Sequence, residues 1–234
     1  AFLLNRSSDL PYYLSSFGVG RVSSLFVYPM SFDEFLTATR QEGLLRIKRN
    51  SSPTNPLPEA FYNRLVEAFR SYMLVGGMPE AVATYSETGS YRYSSDIVNE
   101  IIQGYQDDFA KYGAKANPLL LRQTLISVAH QAGAKFVYSR VEGQYRSAEV
   151  KVALEMLKDA GLIIPTYHTD ANGVPLGAEI NERVVKYLIH DTGVLLGILG
   201  IDDDIDERIK EMMVADSIDL VDKGHVAEMM AGLE

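Results

Sequence analysis

The stretch FVYSRVEGQYRSAEVKVALEMLKDAGLIIP, residues 136–165, decides how the chain folds. Ser139 and Glu142 stand at the spacing of a capping box, which satisfies two free amides at a helix start. After Gly143 a helix is expected over 147–160, because Val150, Ala153, Leu154 and Leu157 recur every three or four residues and share one face. Gly161 supplies a left-handed stop, and Leu162 is placed to touch Leu157 as such stops require. Leu162, Ile163 and Ile164 then begin a strand, and Pro165, lacking an amide donor, marks it as an edge. Asn172-Gly173 is a hairpin turn, and Val184–Ile189 is the returning strand. A short helical turn, a longer helix and a ribbon form the back half of a winged helix-turn-helix, with Thr169–Gly177 as its wing. Such units bind nucleic acid or dock against protein, and the sequence leaves both open.

Upstream of this unit the chain reads as helical. Ser31 and Glu34 repeat the capping-box spacing, with Met30 and Phe35 where a hydrophobic staple would sit, so a helix is expected from Ser31 to about Arg40. A strand, Val22–Tyr28, precedes it. Residues 41–58 hold Pro53, Pro56 and Pro58 and read as a linker, with the basic triplet Arg46, Lys48 and Arg49 at its start. Helices follow over 58–75, closed by Gly76-Gly77, over 79–85, and over 94–112. Asn117 caps a helix that has Pro118 in its favoured first position and runs to about His130. Beyond the ribbon, Asp191 caps a short helix, Thr192–Leu199. The predicted fold class is therefore mainly α with a small β-ribbon, a helical lid-like bundle followed by a winged helix-turn-helix.

The chain has 234 residues, enough for a substantial core, and 47% of them are apolar. It contains no Cys, which rules out disulfides and thiolate metal sites and fits a cytoplasmic protein. No stretch is long and apolar enough for a membrane span, and no membrane partner is expected. The net charge of −9 is unevenly placed. Residues 1–117 carry 11 basic and 12 acidic side chains, residues 118–200 carry 8 and 8, and residues 201–234 carry 3 and 11. A neutral winged helix permits nucleic-acid binding without advertising it, since phosphate neutralisation dominates such affinity. The chain opens at Ala1 and ends at Glu234 within a helical pattern, which reads as a piece of a longer protein.

Few residues suit catalysis. No G-x-x-x-x-G-K-[ST] loop is present, and Gly18-Val19-Gly20 is too short to cradle a nucleotide. His130, His168, His190 and His225 show no zinc spacing, so no metal site is expected. His190-Asp191 reads as a strand end with a capping carboxylate, and His225 with Glu228 as a surface pair. Asp202, Asp204 and Asp206 lack the glycine and the closing glutamate of a calcium loop, and read as a helix opening. The nucleic-acid candidates are Arg140, Arg146, Lys151 and Lys158, near or on the helix 147–160. They are interspersed with Glu149, Glu155 and Asp159, and Lys151 is spaced to pair with Glu155.

Five stretches, GRVSSLFVYPMSFDEFL (20–36), FRSYMLVGGMPEAVATY (69–85), IIQGYQDDFAKY (101–112), ALEMLKDAGLI (153–163) and GHVAEMMAGLE (224–234), resemble a large prokaryotic group of AAA-superfamily ATPases. In that group a C-terminal domain of unknown function follows the ATPase core. The resemblance spans nearly the whole chain in the same order. It implies that residues 1–40 are the tail of an ATPase core, 41–58 a linker and 59–116 a helical lid. It further implies that 117–190 are a winged helix and 191–234 an acidic extension into a restriction-endonuclease-like part. The P-loop and Mg²⁺-binding motif would lie before Ala1, so ATP and Mg would belong to the parent protein and no cofactor to this piece. Arg21 would match the family's Gly-Arg pair as a nucleotide-sensing candidate, and Glu228 and Glu234 would match glutamates of the nuclease-like first helix. The partners implied are the chain's own ATPase core and nuclease-like domain, with DNA as a further candidate. Three functions follow as expectations: an interaction module without turnover of its own, a sequence-independent DNA-binding module, or part of an ATP-dependent nuclease-like enzyme.

Overall fold

The computed structural model describes residues 27–112, 117–169, 180–200, 228–229 and 231–233. The strand expected over Val22–Tyr28 lies outside these residues for all but its last two positions. The first helix, α1 (Phe32–Ala38), begins as its spacing predicts. The Ser31 amide donates to Glu34 Oε2 at 2.8 Å, and the Glu34 amide points back to Ser31 Oγ at 3.4 Å. The chain leaves α1 through a Schellman turn in which Gln41 N–H donates to the Leu36 carbonyl and Arg40 N–H to that of Thr37. Arg40 occupies the left-handed position of that turn, with φ 59°, where glycine is usual.

The expected linker over 41–58 is corrected by a second helix, α2 (Glu42–Arg49). It has no side-chain N-cap, and Gly43 sits in its first turn, so no local start signal announces it. Tertiary contact holds it instead. Leu44 and Leu45 are buried, and Asp33 of α1 pairs with both Lys48 (2.6 Å) and Arg49 (3.1 Å). The irregular stretch is confined to residues 50–58.

Helix α3 (Glu59–Val75) follows, then α4 (Pro79–Thr88), and then α5 (Tyr91–Phe109) with a 3-10 turn, Ala110–Tyr112. Helix α5 starts three residues earlier than the sequence implied. Ser90 caps it, whereas Ser94 is buried and donates to the Ala81 carbonyl of α4. An aromatic cluster locks α1 to these helices. Phe32 meets Phe69 edge-on at 5.1 Å between centroids, and Phe35 lies 5.3 Å from Tyr72 and 6.0 Å from Tyr85. Pairs of this kind contribute about 0.5–1.5 kcal/mol beyond area burial.

The second half is a winged helix. Helix α6 (Pro118–His130), a 3-10 turn (Tyr138–Arg140), helix α7 (Ser147–Asp159), strand β1 (Ile163–Thr169) and strand β2 (Ile180–Ile189) come in order. Helix α7 ends in a Schellman turn around Gly161, at φ 75°, with Leu162 N–H on the Leu157 carbonyl at 3.0 Å. The strands are antiparallel, pairing Ile163 with Ile189 and Tyr167 with Val185 before an irregularity at Tyr167/His168. Phe136 N–H donates to the Val185 carbonyl at 2.9 Å, a single rung from a third segment. Ile163, Val185, Tyr187 and Ile189 line the core face of the ribbon. Helix α8 (Thr192–Ile198) then turns away from the ribbon and packs between α3 and α5. The protein is thus mainly α with a small β-ribbon, and no helix among the described residues is long and apolar enough to cross a membrane.

Candidate functional site

Helix α7 buries Val150, Ala153, Leu154 and Leu157 and turns its opposite face to solvent. Its approach is fixed by buried Gln131 at the end of α6. The Gln131 amide donates to Ser127 Oγ and to the Val137 carbonyl, and its Oε1 accepts from the Val137 amide at 2.8 Å. Phe136 then meets Tyr138 and Tyr187 edge-on, both within 5.4 Å. The capping box expected at Ser139 and Glu142 does not start a helix. Ser139 lies inside the 3-10 turn Tyr138–Arg140, whose N-cap is Val137 with no side-chain cap bond. Half of a capping box forms at the next helix instead, where the Arg146 amide donates to Glu149 Oε2 at 2.8 Å.

Three of the four basic candidates share this exposed region. Arg140, Arg146 and Lys151 are exposed, and their side chains have no acidic partner among the described residues. Lys158 does not join them. It is half-buried and forms an ion pair with Glu155 one turn before it, so the pairing expected between Lys151 and Glu155 is replaced. Hydrogen bonding to Glu155 pushes the Lys158 ammonium pKa up. Glu149 and Asp159 are exposed on the same helix, and Val152 stands among them at 51% exposure. The outer face of the ribbon is partly covered. Lys186 forms an ion pair with Glu228, Met229 is fully buried, and a Cβ on Gly232 would stand 2.6 Å from Leu188 Cδ1.

Between the end of β2 and the start of α8 lies a buried polar junction. Asp191 is 2% exposed and caps α8, accepting from Val194 N–H at 3.0 Å. Its second oxygen accepts from Gly77 N–H at 2.6 Å, across 114 residues of sequence. The junction leaves no space for side chains. A Cβ on Gly76 would fall 2.3 Å from Asp191 Oδ1, and one on Gly77 would fall 2.2 Å from the Met30 carbonyl oxygen. Met30 N–H donates to the Gly77 carbonyl at 2.7 Å, and Tyr72 Oη donates to the Met30 carbonyl at 2.6 Å. His190 sits beside this junction. The Leu162 carbonyl only accepts, so His190 Nδ1 carries the proton, and Nε2 accepts from Tyr105 Oη at 3.1 Å. Burial pushes the His190 pKa down, opposed by neighbouring Asp191. Burial pushes the Asp191 pKa up, opposed by His190 and by amide hydrogen bonds. The Tyr105 phenol is also pushed up by burial, so it remains a donor. No face of Asp191 reaches solvent for a substrate, and its chemistry here is structural.

Arg21, Glu234, His225, the Asp202–Asp206 cluster and most of the wing Thr169–Gly177 lie outside the described residues. Glu228 is described and is engaged by Lys186. Among the described residues no group of acidic or histidine side chains is arranged to hold a metal ion. Sequence reading missed Gln131 and the contact of Gly77 with Asp191. A lone polar residue after an apolar helix and a Gly-Gly pair were the available signals, and neither names its partner.

A family model described as "Domain of unknown function (DUF8612)" matches residues 66–205, a segment holding both the winged helix and the Gly77–Asp191 contact. No curated protein and no solved structure matches the chain.

Proposed function

The chain belongs to the DUF8612 family, and we propose that it is a non-catalytic interaction module, a helical lid-like part joined to a winged helix that docks a protein partner through α7. The observation that carries this reading is the solvent face of α7. A surface that reads DNA presents unpaired Arg, Asn or Gln to base edges and a dense field of cations to phosphate. This face presents Arg146 and Lys151 beside Glu149 and Asp159, with Lys158 neutralised by Glu155 and apolar Val152 at its centre. Mixed charge around an exposed apolar residue suits protein docking. The resemblance of five stretches to AAA-superfamily ATPases supports a parent protein that binds ATP and Mg, with this module fitted to its own ATPase core. No turnover is assigned to the module itself.

Anisotropy titration with a 30-base-pair duplex, in about 50 and 200 mM salt, separates the docking reading from the DNA-binding one. Docking predicts weak binding that Arg146→Glu with Lys151→Glu leaves within about threefold. Tight binding that falls by about 10³ or more between those salts and is lost in the double variant would replace it with the DNA-binding reading. ATP hydrolysis by the purified chain above a buffer control would remove the non-catalytic assignment.

A further inference from the structure

A groove of about 230 Å³ runs between α2 and α3, N-terminal to the family-matched segment and away from the winged helix. Its floor is apolar, made by Leu44, Ile47 and Phe61, the last 36% exposed. Two arginines line it, Arg40 at the turn after α1 and Arg64 one turn along α3 from Phe61. Both are exposed, and neither has an acidic partner among the described residues. Of the other cations nearby, Arg46 lies with Glu42 at a separate surface pocket. Lys48 and Arg49 are consumed by Asp33, which also fixes α2 against α1. The walls of the groove are therefore held in place before any ligand arrives. A Cβ on Gly43, also at the groove, would meet nothing within 4 Å, so that side is open.

The backbone at Arg40 adds an independent observation. Its φ of 59° is the conformation that glycine adopts freely and arginine adopts at a cost. The turn would form more easily with glycine, yet the position holds a long cationic side chain at the edge of a groove that Arg64 also lines. Strain kept at a surface position points to a use for that side chain.

We propose that this groove binds an acidic peptide segment of a partner protein, with one apolar side chain seated on Phe61, Leu44 and Ile47 and carboxylates paired to Arg40 and Arg64. Guanidinium forks match carboxylates in two parallel hydrogen bonds, and a half-exposed aromatic floor supplies the desolvated anchor such contacts need. Two cations over an apolar floor do not track a phosphate backbone, which takes a longer series of them.

The test is fluorescence anisotropy of the full chain with a labelled twelve-residue peptide of glutamates around a central Leu-Leu pair, in about 50 mM salt. Saturable binding is expected, weakened at least tenfold by Arg40→Glu with Arg64→Glu and severalfold by Phe61→Ala. The same peptide with glutamine in place of glutamate should bind at least tenfold more weakly. Arg40→Gly is the discriminating variant, because it should raise Tm by about 2–4 °C while weakening the peptide severalfold. No saturable binding by the wild-type chain, equal binding of the glutamine peptide, undiminished binding by the double variant in a folded state, or complete displacement by an equimolar DNA duplex would each overturn the assignment.

Discussion

Replacing Asp191 with alanine removes a carboxylate that holds two distant parts of the chain. Two amides lose their acceptor: those of Gly77 and Val194. Loss of the helix cap on α8 costs about 1–2 kcal/mol. The Gly77 amide is buried at 2.6 Å from the missing oxygen, so leaving it unpaired costs about 1–3 kcal/mol more. The sum, about 2–5 kcal/mol, is a large share of the roughly 5–15 kcal/mol that keeps a typical protein folded. At about 2–4 °C per kcal/mol, Tm should fall by roughly 4–20 °C. Asp191→Asn keeps one acceptor oxygen and should fall between the two. The measurement is thermal unfolding by circular dichroism, paired with urea midpoints. A change of less than about 1 kcal/mol for Asp191→Ala would refute the claim that the carboxylate ties Gly77 to α8, since a helix cap alone accounts for that much.

Gly77→Ala should destabilise by about 2–4 kcal/mol, because the new Cβ displaces a backbone carbonyl and no side chain can swing away; a wild-type urea midpoint would contradict the geometry. The His190 pKa is lowered, so the unfolded chain takes up a proton near pH 6.5 more readily than the folded one, and its contribution is complete above that pH and lost as pH falls below it. Asp191, raised by burial, acts in the opposite direction above pH 3.8, so the two are separated by a variant. His190→Gln retains a donor and an acceptor, and should flatten the decline in urea midpoint between pH 7.5 and 5.5; an unchanged decline would assign it to other groups. Ser31→Ala should cost about 1 kcal/mol through loss of the capping box. Glu228→Gln, by contrast, should change stability by less than about 1 kcal/mol, since its pairing with Lys186 is exposed to solvent; a larger loss in chemical denaturation would refute that solvent-screened reading of the ion pair.

Elements written in local chemistry were legible from residues alone. Ser31 with Glu34, Asn117 with Pro118, and Gly161 with Leu162 each fix their turn through partners within a few positions, and the structure forms all three. The ribbon was legible because Asn172-Gly173 separates two β-branched runs, although that turn lies outside the described residues. Helix α2 was not legible. Its stability comes from Leu44, Leu45 and the Asp33 ion pairs, while the prolines that follow it lend the region a loop-like composition. Ser139 misled for the reverse reason. Its spacing to Glu142 is right, but Gln131 captures the Val137 backbone and starts the turn two residues early. At the candidate interface the cations were legible and their availability was not. Whether Lys151 or Lys158 takes Glu155 depends on side-chain placement that both spacings permit.

Helix α8 comes after the ribbon in sequence but lies among the earlier helices, with Gly197 so close to Ile102 that a Cβ there would stand 2.7 Å from its Cδ1. The chain thus leaves the first half, builds the winged unit, and returns to complete what it left. Cutting it near residue 116 would therefore not release two autonomous cassettes: the upstream piece would lack its last wall, and the downstream piece would carry a bare greasy helix. Recombination should transmit this unit whole, and expression boundaries drawn at the apparent seam should yield insoluble halves that recover only when mixed.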